Sequence, residues 1–126
     1  KEHVEKALTI FKLKLGTEHS DVAGCLSNLA AIAFKNGDYN TAQKSWESAL
    51  PILEAAVGRE HVYVGLCLMN LASVNLMCAK AQTAKKYFEQ ALPILETALG
   101  ESHSDVGMCK MNLGMAIMMC STPQMG

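Results

Sequence analysis

Residues 49–58 read ALPILEAAVG, and residues 91–100 read ALPILETALG, 42 positions later. The same interval carries the sequence around them. Gly16, Gly58 and Gly100 recur at it, as do His19, His61 and His103, then Val22, Val64 and Val106. Cys25, Cys67 and Cys109 follow, then Asn28, Asn70 and Asn112, then Leu29, Leu71 and Leu113. Self-similarity at a period of about 20–50 residues marks a stacked array, in which no single unit can bury its apolar face alone. An array of this kind offers a long surface instead of a closed pocket, so the pattern favours a binding protein.

Within one unit, residues 19–36 place Val22, Leu26, Leu29, Ala30 and Ala33 at the three-and-four spacing of an amphipathic helix. Ser20 and Asp21 supply a capping oxygen and a first-turn carboxylate, and Gly37 supplies the stop. A second helical pattern from Asp38 to Val57 puts Ala42, Trp46, Ala49, Ile52 and Leu53 on one face and ends at Gly58. Applied along the chain, the unit predicts six helices at about 2–15, 20–36, 39–57, 62–79, 82–99 and 104–120. Ala7, Ala42, Ala49, Ala84 and Ala91 are small enough to let helix backbones approach. Pro51 and Pro93 lie within second helices, where a lost hydrogen bond predicts a bend.

These residues resemble the tetratricopeptide repeat. Leu26, then Asn28, Leu29 and Ala30, then Gly37, Tyr39, Ala42, Trp46 and Ala49 follow that family's pattern almost completely. The next unit keeps Asn70, Leu71, Ala72, Ala84, Phe88 and Ala91 but has Ala79 and Ala81 in place of the turn Gly and Tyr, which predicts a less tightly specified turn. The third unit keeps Asn112, Leu113 and Gly114 before running into Ser121, Thr122 and Pro123. The 42-residue length, with Leu15-Gly16 and His19, Val57-Gly58 and His61, and Leu99-Gly100 and His103, is similar to the long repeats of kinesin light chains. The resemblance implies an all-α, right-handed superhelical solenoid of antiparallel helix pairs. It also implies one array over residues 1–120: a second helix of an upstream unit at 1–15, units at 19–57 and 61–99, and the first helix of a further unit at 103–120. Residues 121–126 are read as a tail.

In this family first helices line a concave face. At 100° per residue, Gly24, Asn28, Ala31 and Lys35 share the stripe opposite the core-facing one. Their equivalents are Leu66, Asn70, Ser73 and Met77, then Met108, Asn112, Met115 and Met119, with Met69 and Met111 at the edge. A carboxamide both donates and accepts, so Asn28, Asn70 and Asn112 suit an extended peptide backbone. The alternative use of the asparagines is bonding within the superhelix. The methionine stripe suits an adaptable apolar ligand surface, with core filling, or cover for a missing helix, as its alternative. The groove is expected to turn more apolar from the first unit to the third. A carboxylate clamp of the kind found in chaperone-tail binders is missing, because Ser27, Met108 and Asn112 stand where basic residues would.

Eleven basic and 12 acidic residues, scattered to a net charge of −1, give no footprint for nucleic acid or an anionic membrane. No apolar run approaches the roughly 18 residues of a bilayer span, and no leader opens the chain, which begins within a helical pattern and reads as a fragment. Equivalent cysteines sit on neighbouring helices about 8–10 Å apart, too far for a disulfide. They read as unpaired small apolar residues at a half-buried margin, in a reducing, cytoplasmic setting. The repeated histidines fall on separate helix entrances, CxxC spacing and phosphate loops are missing, and no cysteine has a base at helical spacing. The sequence therefore predicts no catalysis, no metal and no cofactor. It leaves open a protein or peptide partner in the groove, a cargo-adaptor role like that of kinesin light chains, and homo-oligomers through the terminal helices.

Overall fold

The computed structural model describes residues 20–121, with side chains from residue 22 onward. The helix expected at 2–15, together with Ala7, Gly16, His19 and the side chains of Ser20 and Asp21, lies outside the described residues, as does 122–126 of the expected tail. Five helices follow one another: α1 (Ser20–Lys35), α2 (Tyr39–Val57), α3 (Val62–Met77), α4 (Ala81–Leu99) and α5 (Ser104–Ser121). The described residues contain no strand. α1 packs on α2 and α3 on α4 as pairs, while α2 on α3 and α4 on α5 form the junctions between units. Each helix thus rests mainly on its sequence neighbours, as a stacked array requires.

The core follows the predicted faces. Val22, Leu26, Leu29, Ala30 and Ala33 of α1 are buried, as are Ala42, Trp46, Ala49 and Leu53 of α2; Ile52 is only partly buried. Ala42, Ala49, Ala84 and Ala91 are completely buried, so nothing larger than a methyl group separates the helices there. Trp46 and Phe88 hold the same repeat position and fill it with a large ring; burying such a side chain contributes about 1.5–3 kcal/mol. Both prolines sit inside helices that remain unbroken through them.

The turn between the two helices of a unit is a Schellman motif. In the first unit the amide of Asp38 donates to the carbonyl of Ala33 (2.8 Å) and that of Gly37 to Phe34 (3.1 Å). The second unit copies it: Lys80 donates to Asn75 (2.8 Å) and Ala79 to Leu76 (3.1 Å). The turn that the sequence marks as loosely specified therefore keeps the geometry of its neighbour. It does so at a cost, because Gly37 has φ of 80° and Ala79 must take φ of 62°. An alanine in that left-handed region is about 1–2 kcal/mol less favourable. The same reversal ends α3 at Met77, two residues before the expected boundary. The unit also lacks its cap: Asp38 accepts from the amide of Thr41 (3.2 Å), while Lys80 offers α4 no side-chain acceptor.

Glycines at one repeat position differ in a second way. A Cβ added to Gly65 on α3 would lie 2.9 Å from Ile94 Cγ2 and 3.1 Å from Leu95 Cδ2, whereas one added to Gly107 on α5 would meet nothing within 4 Å.

Replacing Ala79 by Gly and Lys80 by Asp should each stabilise the fold by about 1 kcal/mol, and the double variant should melt higher by circular dichroism. An unchanged or lower melting temperature would contradict the strain assigned to this turn. Gly65→Ala and Gly107→Ala should move stability in opposite directions. The first is opposed by about 1–3 kcal/mol of overpacking. The second keeps the full gain of about 1 kcal/mol in helix propensity. Urea titration of the pair checks the contrast.

Candidate binding groove

First helices α1, α3 and α5 stand side by side, and a depression of about 360 Å³ opens between them. Its lining is Phe34, Trp46, Met69, Asn70, Ser73, Leu76, Met77, Met108, Asn112 and Met115. Six of the ten residues expected in the groove meet here: Asn70, Ser73, Met77, Met108, Asn112 and Met115. The other four stand elsewhere. Asn28 and Lys35 are exposed on α1, and Leu66 is half-buried against the core. Met119 lines a separate depression of about 280 Å³ with Cys120 and the turn residues Ala79 to Thr83.

Four lining residues fall outside the expected stripe. Met69 and Leu76 belong to the next stripe of the wheel, seven residues apart, and Phe34 is the first-unit equivalent of Leu76. Met69, expected at the edge, is a buried floor residue. The wheel of a single helix finds a face; the depression lies at the junction of two first helices, so the flanking stripe also reaches it. Trp46 comes from a second helix and has no signal in that wheel. It joins the wall through a tilted ring contact with Phe34, centroids 6.0 Å apart, and Phe34 in turn lies 5.3 Å from Tyr39.

The asparagines at the groove have no hydrogen-bond partner among the described residues. Ser73 Oγ donates to the Met69 carbonyl (3.0 Å) and Asn75 Nδ2 to the Leu71 carbonyl (2.7 Å), but the half-buried carboxamides of Asn70 and Asn112 bond nothing among the described residues. No charged residue lines the depression. Lys110, the nearest candidate cation on α5, has its Nζ 3.6 Å from Glu96 Oε2. The large apolar residues that remain exposed among the described ones all belong to α3 and α5.

The cysteines and histidines of the repeat have structural positions. Cys67 and Cys109 are buried, not marginal as the sequence suggests, because each thiol points across a unit junction: Cys67 Sγ to the Trp46 carbonyl (3.6 Å), Cys109 Sγ to the Phe88 carbonyl (3.8 Å). Burial, and secondarily Glu54, pushes the Cys67 thiol from 9.0 up to about 12; burial, and then Glu96, pushes Cys109 up to about 11. Both are poor nucleophiles at neutral pH. No disulfide joins any of the five cysteines. His61 Nδ1 accepts from the Tyr63 amide and His103 Nδ1 from the Asp105 amide, both at 3.0 Å, so each closes the start of its own helix. Among the described residues no cluster of three His, Cys, Asp or Glu could hold a metal ion, and no helix is long and apolar enough to cross a membrane.

Comparison with known proteins agrees with this architecture. The profile of the tetratricopeptide repeat matches residues 21–97, more than half of the chain. The fold is similar to that of BtubC (BKLC) from P. vanneervenii, with 23% identity and a TM-score of 0.84, over 94% of this chain and 48% of that one. It is also similar to a Podosopora anserina putative kinesin light chain with nearly identical TPR-like repeats, with 22% identity and a TM-score of 0.84, over 94% and 56%. A variant of the latter gives 23% identity and a TM-score of 0.86 over the same shares. The chain thus spans about half the length of these structures, and at such identities the likeness concerns the fold. No curated protein matches the sequence.

Because the native thiols hold their protons to higher pH than the unfolded chain, the unfolded state binds fewer protons above about 9, and stability falls as pH rises from 9.0 toward about 11 and 12. Unfolding midpoints in urea should drop across this window. The drop should be shallower in the Cys67→Ala/Cys109→Ala variant; an equal slope would remove the thiols as its cause.

Proposed function

The chain belongs to the tetratricopeptide repeat family, whose repeats are protein–protein interaction scaffolds, and from that premise we propose that its concave groove binds an extended or helical peptide segment of a partner protein. One observation carries the reading: two half-buried carboxamides, Asn70 and Asn112, without a hydrogen-bond partner among the described residues, flank an uncharged wall of methionines and aromatic rings. The carboxamides suit the backbone of any peptide, and the wall suits an apolar or aromatic side chain. Asn28, Lys35, Leu66 and Met119 lie outside the depression and extend the proposed surface toward its ends. An adaptor role, as the kinesin light chain resemblance implies, is the same reading with a cargo protein as partner. We take residues 1–120 as one array and assign it no catalytic role, since the thiols of Cys67 and Cys109 are buried and the repeated histidines His61 and His103 cap helices. A near-neutral charge balance favours protein over nucleic acid or membrane as partner, and cysteines without disulfides favour the reducing cytoplasm.

A second reading, self-assembly, rests on α5. Met111 and Met118 there hold the places that Met69 and Leu76 hold on α3, yet they are 64% and 70% exposed. Concentration-dependent mass in light scattering supports assembly; a constant monomer mass opposes it.

An array of decapeptides centred on Leu, Phe, Trp, Asp or Lys tests the groove. Peptides with apolar centres should bind, and the Asn70→Ala/Asn112→Ala variant should lose roughly tenfold in affinity while melting at the wild-type temperature. Unchanged affinity in that variant would end the proposed clamp.

A further inference from the structure

Sulfur is unevenly sheltered in this groove. Met77, Met108 and Met115 line the depression with 55%, 48% and 48% of their surfaces open, while Met69 on the same floor is 8% exposed. The two thiols at the unit junctions, Cys67 and Cys109, are buried and hydrogen-bonded to carbonyls. The open thioethers are therefore the most accessible sulfurs at the groove. Leucine would provide a comparable apolar wall, and at the Met108 position the preceding unit has Leu66.

We propose that Met77, Met108 and Met115 are an oxidation-sensitive modification site, at which a peroxide converts the groove from peptide-binding to non-binding. The inference rests on the peptide-binding reading of the groove. In the reaction the thioether sulfur attacks one peroxide oxygen and the O–O bond breaks. That oxygen stays on sulfur as the sulfoxide, and the other leaves as water once protonated. Sulfur is oxidised by two electrons and the peroxide reduced by two. The product is a polar, chiral group with a strong acceptor in place of a soft apolar one. The wall has few donors to receive three sulfoxide oxygens: Ser73 Oγ already donates to the Met69 carbonyl, leaving the Trp46 indole N–H and the carboxamides of Asn70 and Asn112, the latter two required by the peptide backbone itself. A bound apolar side chain would then bury acceptors without partners, which opposes binding. Sulfoxide reduction by a reductase restores the thioether, so the change is reversible.

Hydrogen peroxide treatment followed by residue-resolved mass spectrometry should show sulfoxide at Met77, Met108 and Met115 before Met69, with the far-ultraviolet circular dichroism unchanged. The tightest-binding Phe- or Trp-centred decapeptide of the array should lose affinity by roughly tenfold or more after treatment and recover it with methionine sulfoxide reductase. In the Met77→Leu/Met108→Leu/Met115→Leu variant, which keeps all five cysteines, peroxide should leave whatever affinity the variant has for this peptide unchanged. Oxidation of Met69 as early as the other three would overturn the proposal, as would an equal peroxide-induced loss in the leucine variant. If untreated wild type binds no peptide of the array, the groove reading itself fails and the switch with it. That outcome is distinct from a groove that binds but ignores peroxide.

Discussion

The structure depends on the contact between the second helix of one unit and the first helix of the next. A helix pair such as α1 and α2 can bury one side of each helix in the other, and Trp46 and Phe88 are buried on their second helices. The cysteine of the following unit, Cys67 or Cys109, bonds the ring residue's own carbonyl across the junction. The junction therefore combines a large buried ring, completely buried alanines that let backbones approach, and a thiol small enough to fit between them. Changing the spacing of any of these by one residue would rotate it off the shared face by 100°. The 42-residue period is the sequence expression of that requirement.

The groove is a by-product of the same junction. Stacking the pairs sets α1, α3 and α5 side by side, and the space left between adjacent first helices is lined by residues that the stacking does not use. Repetition fixes where this space lies, and divergence fixes its chemistry. The stripe that begins as Gly24, Asn28, Ala31 and Lys35 ends as Met108, Asn112, Met115 and Met119, so the asparagine alone persists while its surroundings turn apolar. An invariant polar group among varying neighbours is the arrangement expected when a backbone is held in common and side chains are selected locally.

Helix boundaries and core faces were readable because both follow from periodicity and from glycine. Val22, Leu26, Ala33, Ala42 and Trp46 are buried where a 100° rotation puts them, and Gly37 and Gly58 end helices with the positive φ that only glycine adopts freely. The groove was readable in its central half. Asn70, Met77, Asn112 and Met115 converge as the wheel implies, but Phe34, Leu76 and Trp46 depend on how far apart two helices stand, which no single-helix pattern encodes. The depth of Cys67 escaped for the same reason: a margin position on its own helix is an interior one once α2 is laid against it.

The second unit supplies half of the groove lining, Met69, Asn70, Ser73, Leu76 and Met77, and it is also the unit whose local chemistry agrees least with its fold. Ala79 occupies a glycine conformation, Lys80 provides no cap, and Asn75, 1% exposed, gives its amide to Leu71 while its Oδ1 finds no partner. Ala33 holds the same position in the first unit without any polar atom to satisfy. Each departure is worth about 1–3 kcal/mol against the folded state. None of them breaks the turn, whose two backbone bonds match those of the first unit to within the last digit. The offset must come from outside the turn, from the packing of α3 on α4 within the unit and of α2 on α3 and α4 on α5 at its two junctions. The groove-bearing unit is therefore held in shape by helix packing, within it and at both junctions, more than by the local chemistry of its turn, which ties the geometry of the binding surface to the integrity of the array.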